Sequence, residues 1–393
     1  MHLTHKIRIF PSKEQEVGLL KACGVARFTY NWGLNQCQES YKAGKRLSAI
    51  DLHKNLCRLK TTEFPWMYES TKCAPQRALV NLEKAYKMFF AGLKTGKKVG
   101  KPKHKKKGKS KDSFYIDNTH LQIKDKEFKV PKIKGTMRMA EPLRFTGKII
   151  SYTVSRDVDR WYVSVTVDTS GPQELPKTGQ STGVDLGIKT MATLANSETI
   201  ENPKYLKLQQ KKLARQQRIL ARRQKGSKNR EKQRIVVAKS HRKVRLSRLN
   251  HTHQVTTKLV REYDTIVVED LKVANMVKNR KLSRAISDVG FGMFRAILAM
   301  KCARYGKQLI VAPTFYPSSK TCSQCGHVKE ILLLSERVFK CGNCNSEIDR
   351  DLNAAINLMN LVACCHDVKP VDSVLDKLLN KQLAVEDEAG RFC

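Results

Sequence analysis

Acidic residues are scarce in this chain. Over 393 residues it carries 36 Asp and Glu against 75 Lys and Arg, a formal net charge of +39. Such an imbalance repels itself in a compact state unless an anionic partner offsets it, and nucleic acid is the usual one. An uninterrupted apolar segment of transmembrane length is also lacking, which excludes a spanning helix. The opening MHLTHKIRIFPSKEQ has no apolar core region, so no secretory signal is read there and a cytosolic or nucleoid-associated place is expected. There is no GxxxxGK(S/T) loop and no HExxH, which removes P-loop and zincin chemistry. His5, His241, His251 and His253 are dispersed or sit in basic stretches, and no nuclease centre built on His and Asn is found. No repeat at solenoid spacing occurs.

What is present supports globular folding: 40% of residues are hydrophobic, and the length allows two or three domains. HKIRIF alternates like a strand, and Ser12 with Gln15 forms a capping-box pattern that opens a helix. Residues 13–92 carry helical periodicity. In QRALVNLEKAYKMFF, Leu79, Leu82, Tyr86, Phe89 and Phe90 share one face, read as core packing rather than ligand stacking. Residues 94–111 hold ten lysines and no acid, broken by Gly and Pro; this reads as an extended arm for a phosphate backbone. From 113 to 170 the pattern is β, with KIISYTVSRDVDRWYVSVTVD as a hairpin turning at Asp157–Asp159 in a barrel or small sheet. The Pro/Gly-rich 171–180 marks a boundary. Residues 203–258 carry 19 Lys/Arg and one acid, with Leu206, Leu213 and Leu220 every seven residues. That is a paired helical hairpin, broken at KGSKNR, whose outer face suits nucleic acid. A buried strand DTIVVED, a basic loop VKNRKLSRAISDVGFG, a helix and the strand QLIVAP follow. The tail after about 366 is less basic and reads as partly disordered.

Three acids stand in separate contexts: Asp185 in TGVDLGIKT, Glu269 at the end of DTIVVED, and Asp351 in DRDLNAAINL. Two end β-type stretches and one opens a helical stretch, which is how a fold gathers distant carboxylates around hard divalent cations. Two such ions about 4 Å apart activate water and stabilise a leaving oxygen at phosphate. Together with the basic charge, the trio points to a metal-dependent nuclease with one cutting site. Asp349 competes for the third place, but on a helix it would point about 200° away from Asp351. Asp270 would face away from Glu269 along a strand. Between the second and third acids, Cys322, Cys325, Cys341 and Cys344 follow C-x2-C-x15-C-x2-C, two knuckles that close a tetrahedral zinc site. Four thiolates leave no open position, so this zinc is structural, and His327 is surplus. Losing the metal should unfold the loop and unsettle Asp351. Cys23, Cys37, Cys57 and Cys73 show no pairing logic and read as reduced residues.

GVDLGIKT, VVEDL, FYPSSKTCSQCG with FKCGNC, and DRDLNAAINL together resemble the TnpB family, transposon-encoded relatives of type V CRISPR effectors. KIRIFPSKEQ, NLEKAYKMFF and GKKVGKPKHKKK extend the resemblance over nearly the whole chain. It implies a multidomain α+β protein. A RuvC/RNase H-like nuclease domain at 176–365 would hold two Mg²⁺ ions on Asp185, Glu269 and Asp351. Within it would lie the basic helical insertion at 203–258 and a zinc finger at 318–348 with one structural Zn²⁺. A wedge-like β-barrel would be split between 1–12 and 113–175, interrupted by a helical recognition domain at 13–112, and 366–393 would be a tail. The implied activity is RNA-guided, Mg²⁺-dependent cleavage of double-stranded DNA beside a short transposon-associated motif. The guide RNA would come from the transposon end, and the protein would work as a monomer with its RNA. Lys72 and Gln76, near KCAPQ, would read the motif; Lys101 and Lys103 of the arm would touch nucleic acid. Two other readings stand beside this one. A nuclease-inactive RNA-guided binder is disfavoured by the intact acids. A transposase acting without guide RNA is disfavoured by the extent of basic surface, and no separate helix-turn-helix is placed in the sequence.

Overall fold

The computed structural model describes residues 1–364 apart from 97–98, 119–121, 170, 172 and 334. The sequence reading of the tail at 366–393 therefore falls outside the described residues. The chain divides after Gly171 into two compact units.

The first unit opens with β1 (His2–Phe10), α1 (Lys13–Lys42), α2 (Ala49–Thr62) and α3 (Cys73–Lys94). It continues through β2 (Ser113–Asp117), β3 (Gln122–Lys124), β4 (Glu127–Lys129), β5 (Met137–Met139), β6 (Lys148–Asp157) and β7 (Arg160–Asp168). The strands form one antiparallel sheet in the order β2-β6-β7-β1-β5-β4-β3, and among the described residues no ladder joins its two edges. Alternation decides which face is inside: Trp161, Val163, Val165 and Val167 are buried along β7 while the residues between them are not. The capping box is formed, with the Gln15 N–H donating to Ser12 Oγ at 3.2 Å and the Ser12 N–H to Gln15 Oε1 at 2.9 Å. Leu79 and Leu82 are fully buried against α1 and α2, as core residues should be. Tyr86, Phe89 and Phe90 are only half-buried, and the Arg46 guanidinium lies over Phe90.

Past Lys94, which ends α3, the described part of the lysine arm is non-helical, and it is fastened to α1. The Asn31 side chain accepts from the Lys105 N–H at 2.7 Å and donates to its carbonyl at 2.9 Å, and His104 pairs with Asn35. Lys101 and Lys103 stay exposed beside this anchor, and Lys72 and Gln76 are exposed at the start of α3.

The second unit contains β8 (Ser181–Asp185), β9 (Thr190–Leu194), β10 (Thr199–Glu201), α4 (Tyr205–Arg222), α5 (Lys228–Glu262) and β11 (Thr265–Val268). After these come α6 (Val273–Met276), α7 (Ser283–Val289), α8 (Phe291–Tyr305), β12 (Gln308–Val311), β13 (Val338–Lys340), β14 (Glu347–Asp349) and α9 (Arg350–Cys364). Its sheet runs β10-β9-β8-β11-β12, an antiparallel meander followed by three parallel strands, β8, β11 and β12. Helices α4 and α5 pair as the leucine spacing requires, with Leu213 buried in the seam. One expectation fails: the stretch expected to be a basic loop contains helix α7. Ile286 and Val289 bury themselves in the core, and Asp288, also buried, accepts from the backbone N–H groups of Leu206 and Lys207. Asp288 thus caps α4, which has no side-chain cap of its own, and it also pairs with Arg248 of α5 at 2.7 Å.

Candidate active site

Asp185 is the last residue of β8, and Glu269 follows the last residue of β11. The two strands are parallel neighbours with Val184 opposite Val268, so both acids leave the carboxyl end of the sheet side by side. The third acid comes from α9, which packs across β8 and β11 through buried Ala354, Ala355 and Leu358. Gly183 makes that approach possible. A Cβ there would lie 2.0 Å from the Ala355 carbonyl oxygen and 2.6 Å from the Met359 nitrogen, both backbone atoms that cannot turn aside. The glycine two residues before Asp185 therefore sets how close the helix bearing Asp351 can come.

Electrostatics reports the resulting crowding. Burial first, then the negative charges of Glu269 and Asp351, push the Asp185 carboxyl up to about 8, while Arg350 works in the opposite sense. The acids are coupled without being closed on a point. Among the described residues, only the four thiols form a His/Cys/Asp/Glu set whose ligand atoms all lie within 4.8 Å of one another.

Two of the three acids have a holder. The Ser318 hydroxyl, itself buried, donates to Glu269 Oε1. Arg350 reaches Asp351 Oδ1 at 3.3 Å. Asp349 resolves differently from the sequence reading, which set it on the helix with Asp351: it ends β14, and its Oδ1 accepts from the N–H groups of Asp351 and Leu352 at 2.9 and 3.0 Å. Its carboxylate is spent capping α9. Asp270 does turn away, toward Arg295, Lys272 and Thr314. Against the cost of burial, their hydrogen bonds hold it down at about 2.

The four cysteines are gathered, with Sγ separations of 3.6 Å for Cys322–Cys344 and 3.5 Å for Cys325–Cys341. A tetrahedral Zn–S distance of about 2.3 Å calls for sulfur separations of roughly 3.8 Å, so the cage fits zinc. Amide donors aim at the sulfurs: the N–H groups of Asn343 and Cys344 reach Cys341 at 3.4 and 3.5 Å. The His327 backbone and the Asn343 side chain favour the charged form of Cys325, whose thiol falls to about 6.

Two asparagines missed in the sequence join the cage to the acids. Asn357 Nδ2 donates to the carbonyls of Ser318 and Thr321 at 2.8 and 2.6 Å. Asn353 donates to the Thr321 carbonyl at 2.7 Å and accepts from the Ser323 N–H at 2.9 Å. Both are buried, one helical turn apart on α9. Two asparagines four apart among the alanines and leucines of the helix were the available signal; Ser318 had none.

Comparison with known proteins places the chain in a family. A family model described as "Probable transposase" matches residues 162–280, one described as "Cas12f1-like, TNB domain" matches 291–358, and one described as "Helix-turn-helix domain" matches 1–46. A Streptomyces pristinaespiralis protein named "Putative RNA-guided DNA endonuclease" is 36% identical over 360 residues, covering 90% of this chain and 88% of its own. The chain belongs to the TnpB family. A second TnpB-family relative, from Escherichia coli K12 and named "Putative RNA-guided DNA endonuclease InsQ", is 30% identical over 90% of both chains. The fold resembles a solved Cas12f1–sgRNA–target DNA complex, with a TM-score of 0.56 over 94% of this chain and 99% of that one at 16% identity. The helix-turn-helix match falls on β1 and α1, where the sequence alone placed none. Among the described residues no helix is long and apolar enough to cross a membrane.

Proposed function

We propose that this TnpB-family chain is an RNA-guided DNA endonuclease that hydrolyses double-stranded DNA, beside a short motif, at one RuvC-like site made by Asp185, Glu269 and Asp351. One observation carries the reading. A carboxyl is held far above its ordinary range, by burial first and then by two other acids that the sheet and α9 bring to it, and folding alone gives no reason to collect such repulsion. The sheet order, with the acids at the carboxyl ends of adjacent parallel strands, supports the RuvC-like assignment. The names of the two relatives supply guide RNA and DNA as partners.

The acids suit Mg²⁺. Their oxygens are hard donors and their charges lack full compensation, and two ions need donors spread more widely than one ion does. Asp185, Glu269 and Asp351 would hold the metal, which when bound supplies the positive charge that activates water and stabilises the leaving oxygen of a phosphodiester. The chain's own groups orient this site. Ser318 fixes Glu269, Asp349 fixes the first turn of α9, and Arg350 offsets part of the charge at Asp351. The lysine arm and the α4–α5 hairpin would grip the RNA–DNA hybrid through its backbone. Lys101 and Lys103 are the proposed arm contacts, and Lys72 and Gln76 the proposed motif readers.

Asp185→Ala should abolish cleavage while RNA and target binding stay near wild type; equal loss of binding would make the residue structural. The transposase description of one family model favours a second reading, end-joining without guide RNA. Protein purified from native cells decides: bound transposon-end RNA supports guidance, and RNA-free protein that joins ends refutes it.

A further inference from the structure

Among the described residues, Phe315 is the most exposed large apolar side chain, at 93%. Its backbone is also left-handed, with φ +68. The Tyr316 N–H closes a turn on the Pro313 carbonyl at 3.1 Å, which puts Phe315 at the third turn position. Positive φ at that position calls for Gly or Asn, and a bulky residue held there costs stability. Neither the exposure nor the conformation helps folding.

The turn is held in place. The Ala312 N–H donates to the Val268 carbonyl at 2.9 Å, and the Thr314 hydroxyl to Asp270 at 2.9 Å. Past the ring, the Tyr316 hydroxyl donates to the Asn357 carbonyl at 3.4 Å and the Ser318 hydroxyl to Glu269. Pro313 and Pro317 restrict the backbone on both sides. The ring therefore projects into solvent from a segment bonded to both Glu269 and its neighbour Asp270.

We propose that Phe315 is a stacking platform for an unpaired nucleobase of the strand presented to the acidic cluster. Its substrate class rests on the nuclease reading above. A phenyl face stacks on any base, so it sets the position of a strand without reading its sequence. The basic charge of the chain supplies affinity, and the ring supplies register beside Glu269.

The test uses the full chain with its copurifying RNA, in an Asp185→Ala background that keeps the strand intact. A single-stranded oligonucleotide carrying 5-iodouracil is photocrosslinked and the adduct mapped by mass spectrometry. An adduct on Phe315 is expected; Phe315→Ala should lose it and Phe315→Trp keep it. With Asp185 restored, Phe315→Ala should slow cleavage about 5- to 100-fold, leaving RNA binding and zinc content unchanged, and Phe315→Trp should recover most of the rate. Phe315→Gly, which relieves the turn, should melt no lower than wild type yet cut as slowly as Phe315→Ala, separating the ring from the backbone. Adducts confined to other residues, with Phe315→Ala cutting at the wild-type rate, overturn the proposal. So does capture of a protein partner that depends on Phe315 when no base adduct forms. If the wild type cuts nothing but the Phe315 adduct forms, the nuclease reading falls and the stacking site stands.

Discussion

Replacing Asp185 by Asn should stabilise the fold while destroying the proposed activity. Unfolded, an aspartate titrates near ~3.9; folded, this one is held at about 8 by burial and by Glu269 and Asp351. Because the folded value is the higher, this side chain costs the fold nothing below pH 4. Stability is then lost as pH rises, until the cost levels off near pH 8. At pH 7 the linkage amounts to about 4 kcal/mol at most, and relaxation around the site reduces it to about 1–4 kcal/mol. Asparagine keeps the shape and removes the titration. For a unit of this size each kcal/mol moves the midpoint by about 2–4 °C, so Asp185→Asn should melt roughly 2–16 °C above wild type at pH 7.5 in Mg²⁺-free buffer. The gap should close by pH 4, and it should narrow at neutral pH when Mg²⁺ is added, since an ion that binds only the wild-type acids stabilises only wild type. The assay is thermal melting of both proteins from pH 4 to 8.5. Equal midpoints throughout, or a variant less stable at pH 7.5, would refute the claim that these acids strain one another.

Three other perturbations follow from particular contacts. Gly183→Ala drives a Cβ into the backbone of α9 and should cost about 3 kcal/mol or more; denaturant unfolding with an unchanged midpoint would show that α9 can yield. Asp288→Ala strands the Arg248 guanidinium and the first N–H groups of α4 and should cost about 3–5 kcal/mol. Limited trypsin digestion should then cut within 205–262 faster, and an unchanged digestion rate would count against this anchor. Asn357→Ala leaves the Ser318 carbonyl without its donor and the Thr321 carbonyl with Asn353 alone, and should cost about 1–3 kcal/mol. Zinc should also leave faster, and a wild-type release rate would deny the link between Asn357 and the cage.

The acids were legible because each ends or begins a segment whose local pattern is strong. TIVV is a four-residue strand with its last three residues buried, so the residue after it has to leave the sheet at its end. The thiol spacing was equally plain, since two knuckles bring their own turns. Asp349 was misread as helical because periodicity cannot tell a helix's first turn from the cap that precedes it. The aromatic stripe was half right: Leu79 and Leu82 face α1 and α2, but the C-terminal part of α3 leaves Phe89 and Phe90 only half covered. Helix α7 was missed because its seven residues follow a basic stretch and carry only two deeply buried apolar anchors. Ser318 and Phe315 were invisible, since a buried hydroxyl bonded across the fold and a positive φ leave no periodic trace.

The insertion of a four-cysteine cage between Glu269 and Asp351 has a physical reason. Asp185 and Glu269 are ordered by a parallel ladder, whereas Asp351 follows a hairpin, β13–β14, of three residues per strand. A ladder that short does not hold itself. The second knuckle lies within that hairpin, whose last residue, Asp349, caps the helix carrying Asp351. Four metal–thiolate bonds at the cysteine cage would supply the order that so small a core cannot. A zinc-selective chelator, followed by excess Mg²⁺, should then abolish cleavage in proportion to zinc removed and restore it on zinc return. Amide hydrogen exchange should accelerate in 320–352, while β8 and β11 keep their protection. Cleavage that survives complete zinc loss would show that α9 finds its place through Gly183 and the sheet alone.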